Sequence, residues 1–133
     1  KLIFKKEKLK KIKKVATLTG SKHDEIPSSF VDDIEGMAML GKDYLLVSSQ
    51  GISELVLIKK DTGERVENFR IIGDDLFDGV TKTDGLDILD ENLGEKYPQG
   101  ILVVHDDENE GGGNANYKIV SLEKIKKQFF AHP

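Results

Sequence analysis

Short apolar runs separated by tight turns dominate the middle of the chain. The runs occupy residues 37–40, 44–47, 55–58 and 66–72. Each has the length of a strand, and the turn-forming residues Gly41 and 61–63 stand between them. The second run is apolar throughout, as in a strand buried on both faces, whereas the fourth alternates loosely and directs Val66, Phe69 and Ile71 inward. The pattern predicts four strands in an antiparallel meander.

The same pattern then begins a second time. The Glu-Gly pair that ends at Gly36 aligns with the Asp-Gly pair that ends at Gly85, 49 positions later. The next apolar run, YLLVSSQG, has a counterpart in ILVVHDDEN, and matching Gln50 with Asp106 gives an offset of 56. A repeat of this length, built from four-stranded units, is typical of propeller blades.

The second unit is predicted to end in a strand and a helix. Residues 117–120 supply its third strand, and Ser121 precedes a short helix that has Leu122, Ile125 and Phe129 on one face. The competing interpretation is a small sandwich in which the repeat is accidental.

Two units cannot close a propeller ring, which needs about four to eight blades. We therefore expect all-β structure with about two blades, either as a piece of a longer propeller or as part of a ring completed by several chains. The expected division is the end of a preceding blade with its connecting loop at 1–32, one blade at 33–76, and a final blade with the short helix at 77–133. Open sheet edges in so short a piece would favour self-association.

The net charge of −4 conceals an uneven distribution. Residues 1–22 hold nine lysines and one glutamate, and the remainder holds 11 Lys and Arg against 23 Asp and Glu. Apolar residues at 2–4 and 15–18 favour strand–turn–strand over a helix in this basic segment. We interpret it as a solvated face; nucleic-acid binding is the weaker alternative, because no RNA-type aromatic motif accompanies it. No apolar stretch is long enough to span a bilayer, and the absence of cysteine excludes disulfides and thiolate chemistry.

Oxygen-bearing side chains recur at equivalent places in the two units. They flank the first and second strand of each unit: Asp33, Glu35, Gln50, Asp78, Asp84, Asp106 and Asn109. The start of the first strand and the end of the second lie at the same end of a blade, so we expect these oxygens on one rim. Clustered carboxylates and amides suit Ca²⁺, which takes about six to eight oxygen ligands, better than zinc or copper. The EF-hand spacing is absent, and Asp-Gly pairs that only form turns are the alternative.

Six short motifs carry a resemblance to a known family. They are DDIEG (32–36), SSQG (48–51), DG-x4-DG-x-D (78–87), LG-x2-YP-x-G (93–100), DDEN (106–109) and N-x-NYKIVSLEKI (114–125). Their order and spacing, over residues 30–125, resemble the beta-propeller phytases. The resemblance implies a six-bladed, calcium-dependent phosphomonoester hydrolase that acts on phytate outside the cell or in the periplasm. It also implies calcium ions that hold the substrate phosphates and activate a water.

The resemblance further implies roles for individual residues. The acids that match the family's calcium site are Asp33, Glu35, Asp78 and Asp84, and the last three are also expected to serve catalysis through water activation. Gln50 matches a glutamine on the same rim, and Asp106 with Asn109 matches a second acidic loop. No serine-histidine-acid arrangement, P-loop or cysteine competes with this interpretation, and His105 beside the acidic loop is expected to pack or lie at the surface.

Three departures from the family pattern keep a second hypothesis open. Lys82 stands where the family commonly has an acid, and Asp107 stands where it usually has glycine. The chain matches only the last blades, while the family's phosphate-binding basic residues belong mostly to earlier ones. Lys82 could weaken one ion site or contact phosphate. The alternative function is a non-catalytic, calcium-stabilised propeller that acts as a binding module.

Overall fold

The computed structural model describes residues 33–130. The strands and loop predicted for residues 1–32 lie outside this part of the chain. Across the described part, the chain forms seven strands and one α-helix. No helix in it combines the length and the apolar character that crossing a membrane requires.

The first four strands form one antiparallel sheet in chain order. They are β1 (Met37–Leu40), β2 (Tyr44–Ser49), β3 (Glu54–Lys59) and β4 (Arg65–Phe69). The predicted meander is therefore confirmed, although β4 ends before residue 72. Phe69 and Ile71 pack against the core as expected, whereas Val66 is exposed. The expectation for Val66 was wrong because Val66 and Phe69 are an odd number of positions apart, which places them on opposite faces of a strand.

The second sheet contains three antiparallel strands and leads into the helix. The strands are β5 (Leu86–Leu89), β6 (Ile101–Asp106) and β7 (Asn116–Ser121), and α1 (Leu122–Phe130) follows directly. Leu122 and Ile125 are buried and Phe129 packs beside them, which confirms the predicted apolar face of the helix. The ring of Phe129 lies 4.9 Å from that of Phe69, so α1 also contacts the first sheet.

One apolar core joins the two sheets. Its buried members come from both sheets, the loop before β5 and the helix: Leu40, Leu46, Leu55, Leu57, Val80, Leu102, Val104, Leu122 and Ile125. β1 and β5 lie side by side. Two antiparallel sheets with adjacent first strands are the arrangement of neighbouring propeller blades, so the fold is all-β, a partial β-propeller.

The two repeated glycines lie in contact with each other. A Cβ atom on Gly36 would lie 2.9 Å from the backbone nitrogen of Leu86 and 3.0 Å from Cα of Gly85. No side chain fits at that distance, so the start of β1 can approach β5 this closely only with glycine at position 36. The contact brings the residues that precede each glycine to the junction between the sheets.

Equivalent hydrogen bonds define how the two units correspond. The N–H of Ser48 donates to the carbonyl of Gly36 at 2.9 Å, and the N–H of His105 donates to the carbonyl of Gly85 at 2.8 Å. Ser48 and His105 are 57 positions apart, so the expected offset of 56 was short by one. Gln50 therefore corresponds to Asp107, and the buried residue Asp106 corresponds to the buried residue Ser49. The loop between β5 and β6 is therefore one residue longer than the expected offset of 56 implied.

Candidate metal site and charged rim

One end of the two sheets collects the acidic residues predicted from the sequence. β1 and β5 begin at this end, and β2 and β6 end there, because both pairs are antiparallel. We call this end the rim. The predicted site residues lie at these strand ends or in the loops that join them: Asp33, Glu35, Gln50, Asp78, Asp84, Asp106 and Asn109. The structure divides them between two groups and one loop.

The first group lies where the two sheets meet, and we call it the seam: Asp33, Glu35, Gln50 and Asp84. Gln50 directly follows β2, and its backbone N–H donates to the carbonyl oxygen of Asp33 at 2.8 Å. Asp33 has a φ of +38°, a conformation that aspartate tolerates better than most residues. This hydrogen bond fixes Asp33, in the segment that leads into β1, against the residue after β2.

A side-chain hydrogen bond crosses the seam from one sheet to the other. Nε2 of Gln50 donates to Oδ1 of Asp84, which precedes β5. The bond uses the amide nitrogen of Gln50 and not its oxygen. The side chain of Asp84 is 54% exposed, and Asp33 and Glu35 are exposed as well. The seam thus presents exposed carboxylates from two sheets beside the partly buried amide of Gln50.

His105 forms a hydrogen bond with the backbone of Asp84. The backbone N–H of Asp84 donates to Nδ1 of His105 at 3.4 Å. The imidazole is mostly buried and contacts the ring of Tyr117 edge-on, with 5.5 Å between the ring centres. These contacts give His105 the packing role that the sequence suggested.

The second group is organised by a lysine, and we call it the Lys118 cluster: Asp78, Thr81, Asp106 and Lys118. Nζ of Lys118, on β7, donates to Oδ1 of Asp78 at 2.5 Å, to the carbonyl of Gly79 at 2.7 Å, and to Oδ2 of Asp106. The three N–H groups of the ammonium therefore each have an acceptor.

Hydrogen bonds occupy the remaining carboxylate oxygens of the Lys118 cluster. Oδ1 of Asp106 accepts the backbone N–H of Thr81 at 2.8 Å and the Thr81 hydroxyl at 3.2 Å. Oδ2 of Asp78 accepts the backbone N–H of Glu110 at 2.9 Å. Asp106 has no exposed surface, so its charge depends entirely on these partners.

The cluster shifts the pKa values of its members in the directions expected of ion pairs. Burial by itself lowers the pKa of Lys118, but the hydrogen bonds and charges of Asp106 and Asp78 together outweigh it and raise that pKa above the ordinary value. The Lys118 ammonium, followed by the N–H of Glu110, lowers the pKa of Asp78. Both groups are therefore held in their charged forms at neutral pH.

Lys82 forms a separate and more exposed ion pair with Glu108. This hydrogen bond is the main reason that the pKa of Lys82 is raised. The backbone N–H of Lys82 donates to Oγ of Ser53 at 3.1 Å, across the junction between the sheets, and Lys82 has a φ of +43°. The lysine that departs from the family pattern thus pairs with an acid of the neighbouring loop.

Asn109 belongs to neither group. Its Nδ2 donates to the carbonyl of Asn114, and its Oδ1 accepts Nδ2 of Asn116 at 2.5 Å. These bonds close the glycine-rich loop between β6 and β7. The side chain therefore has a structural use in this loop, and its predicted role as a metal ligand stays a prediction.

The two groups differ in how well they suit a calcium ion. Over residues 33–130, no three His, Asp or Glu side chains converge closely enough to hold a metal by themselves. The seam fits by its chemistry, because its donors are accessible oxygens, and an ion there would need further ligands. The Lys118 cluster does not fit, because hydrogen bonds already occupy every carboxylate oxygen of Asp78 and Asp106.

Sequence reasoning missed Lys118, Thr81 and Ser53. The alternation in β7 was misleading for Lys118, because Tyr117 and Ile119 are exposed although they are large and apolar, and Lys118 lies with Val120 on the less exposed face. A lysine on the inward face of a strand requires a buried acid nearby, but only the structure shows that Lys118 faces inward. Thr81 and Ser53 gave no signal in the sequence.

Comparison with known proteins finds a matching family and a similar curated protein. The profile of the family described as Phytase matches residues 11–133. The 3-phytase of Bacillus subtilis (strain 168) is 41% identical over 109 residues, which cover 76% of this chain and 28% of that protein. The chain thus spans little more than a quarter of the length of this curated relative.

Proposed function

The chain belongs to the phytase family, and from this premise we propose that the protein containing it is a calcium-dependent phosphomonoester hydrolase that acts on phytate. The matched relative is a 3-phytase, and the chain corresponds to a minor part of its length. The two blades described here would then supply one portion of the site, and other blades would supply the rest. Location outside the cell or in the periplasm is part of the same proposal.

The observation that carries the proposal is the seam. Gln50 and Asp84 come from different sheets and are joined by a hydrogen bond, next to the exposed acids Asp33 and Glu35. Hard cations are bound by such mixtures of carboxylate and amide oxygens. The seam also lies at the junction between two blades, where ligands from two rigid sheets can face the same ion.

The charge of the rim supports a need for cations. An open groove of about 860 Å³ beside the Lys118 cluster, on the same rim as the seam, is lined by Asp74, Asp75, Asp78 and Glu110, with Lys118 as a counter-charge. A phosphate ester approaching this surface meets predominantly negative charge, and repulsion between like charges opposes its binding. Bound divalent cations remove this repulsion.

Each seam residue has a definite task in the proposed reaction. Asp33, Glu35 and Asp84 provide carboxylate ligands. Gln50 orients Asp84 through its amide nitrogen, and its amide oxygen takes no part in that hydrogen bond. When bound, calcium would supply positive charge against the phosphoryl oxygens and lower the pKa of a water that attacks phosphorus. Asp84 and Glu35 would accept hydrogen bonds from that water and direct it towards the substrate.

A non-catalytic, calcium-stabilised propeller is the alternative function. The Lys82–Glu108 ion pair favours it, because it places a fixed positive charge where the family commonly has an acid. In that case calcium would raise the stability of the protein, and phytate would not be hydrolysed.

The test measures phosphate release from phytate by the full-length protein, with calcium and after its removal by EGTA. We expect release only with calcium, and we expect Asp84→Asn to lower kcat/KM by about tenfold or more, because one ligand loses its charge. Asp43→Asn, which changes an exposed turn at the opposite end of the sheet, is the matched control and should behave as the parent. If calcium stabilises the protein but no phosphate is released, the hydrolase proposal is wrong and the non-catalytic binding module is supported.

A further inference from the structure

We propose that Lys118 is the resident cation of Asp78 and Asp106, so that these two carboxylates form a metal-free structural centre and are not calcium ligands. The proposal goes beyond the proposed function, because it concerns which side chains hold a metal and does not require that phytate be hydrolysed. It divides the acidic residues predicted from the sequence into two classes: those of the seam, open to an ion, and those of the Lys118 cluster, neutralised by the protein itself.

The geometry of the ammonium is the first argument. Nζ of Lys118 has three acceptors, from Asp78, Gly79 and Asp106, and an ammonium has three N–H donors. The lysine side chain is only 14% exposed, and its ammonium contacts Asp78 in the loop before β5. A metal between these oxygens would have to displace a cation that already satisfies them.

The burial of Asp106 is the second argument. Its side chain is 0% exposed, and both of its oxygens are engaged: Oδ1 by Thr81 and Oδ2 by Lys118. Calcium requires about six to eight oxygens, some of which are normally water. To accept calcium here, the site would have to release Lys118, whose buried charge would then lack a partner.

The centre has a positioning role for the rim. Lys118 fixes Asp78 and Gly79 at one end of a loop, and Thr81 bonds to Asp106 and, through its hydroxyl, to the carbonyl of Glu108 at 3.1 Å. These contacts tie the segment before β5 to the loop after β6. That segment leads directly into the seam at Asp84, so the ion pair holds one side of the seam in place without touching a bound ion.

The test compares calcium binding and thermal stability in the full-length protein and its variants. Calcium stoichiometry and Kd are measured by isothermal titration calorimetry, and Tm is measured in EGTA and in excess calcium. We expect Asp106→Asn to bind as many calcium ions as the parent, with Kd within about tenfold of the parent value. We also expect its Tm to fall by the same amount with and without calcium, because the lost contact is to Lys118. Asp84→Asn, from the seam, should instead lose an ion or bind it about tenfold or more weakly.

Loss of one calcium ion in Asp106→Asn, or a fall in Tm seen only when calcium is present, would overturn the proposal. Asp78→Asn is the second variant, because Asp78 lies at the edge of the cluster and its replacement leaves the buried pair of Asp106 and Lys118 intact. It keeps the full calcium stoichiometry if Lys118 is the resident cation. It loses one ion if Asp78 is a calcium ligand.

Discussion

The seam and the Lys118 cluster lie on the same rim and draw on similar side chains, yet they present opposite chemistry. At the seam, Asp84 is 54% exposed and shares one oxygen with an uncharged amide. In the cluster, Asp106 is 0% exposed and shares its oxygens with an ammonium and a threonine. A carboxylate that faces solvent can exchange water for a metal, whereas a buried one must already have its counter-charge.

This difference shows that the spacing of acids along a chain does not identify the cation that they bind. Asp78 and Asp84 are six residues apart in one motif, but only Asp78 faces a lysine. That lysine is Lys118, 40 residues beyond Asp78. The partner therefore comes from a strand that local sequence patterns around the acids do not include.

The largest expected effect is that of removing the resident cation. Lys118→Met keeps the length of the side chain but leaves the buried carboxylate of Asp106 without its counter-charge, which should lower the free energy of unfolding by about 3 kcal/mol or more. Urea unfolding of the full-length protein measures this. Lys59→Met, at an exposed ion pair, is the control and should unfold as the parent does. If neither substitution changes the free energy of unfolding, buried and exposed ion pairs do not differ in the way proposed here.

The next effect tests how the seam is built. Gly36→Ala places a Cβ about 2.9 Å from the backbone of Leu86, so the sheets must move apart, and we expect a loss of about 2 kcal/mol in unfolding free energy. Calcium affinity should fall with it, because the seam ligands come from both sheets. The matched control is Gly85→Ala, where no atom lies within 4 Å of the new methyl group. Tolerance of alanine at both glycines would mean that close contact between β1 and β5 does not shape the seam.

The pH dependence of the cluster follows from its shifted pKa values. The pKa of Asp78 is lowered from 3.8, so its stabilising contribution is present above that pH and is lost as the pH falls through the lower value. The pKa of Lys118 is raised from 10.5, so its contribution is present below that pH and is lost only as the pH rises through the higher value. The difference in unfolding free energy between the parent and Asp78→Asn should therefore be constant from about pH 5 to 9 and shrink below about pH 4. Urea unfolding at a series of pH values measures it, and a difference that grows on acidification would contradict this assignment.

The smallest effect is expected at the exposed counterpart of the cluster. Lys82→Met breaks the pair with Glu108, in which both side chains are at least half exposed, so unfolding at about 0.15 M salt should not change measurably. Thermal unfolding of Lys82→Met, Lys118→Met and the parent, measured side by side, tests this. A loss as large as that of Lys118→Met would show that exposure is not what separates the two lysines.

Much of the fold could be predicted because local patterns encode it. The apolar runs and turn residues predicted β1 to β4 as a meander, and the second set of runs predicted β5 to β7 and the apolar face of α1. Two details were wrong for different reasons. Val66 was assigned inward together with Phe69, although strand alternation places residues three positions apart on opposite faces. The 57-position offset could not be predicted, because it depended on how many residues the loop between β5 and β6 would use. Loop lengths are not constrained by the alternation that defines strands.

Local patterns in the amino-acid sequence were enough to predict the paired antiparallel sheets and the oxygen-rich side chains at the same ends of their strands. Alternation and turn chemistry act over a few residues, and they are readable without a structure. Contacts between residues far apart in the chain decide which of those oxygens remain open and which are neutralised. Lys118 meets Asp78 and Asp106 because β6 and β7 pair in one register, and a shift of one residue would turn the lysine to the other face. Charge compensation between distant residues is a property of that register, so the cation that each acid faces was settled by strand pairing.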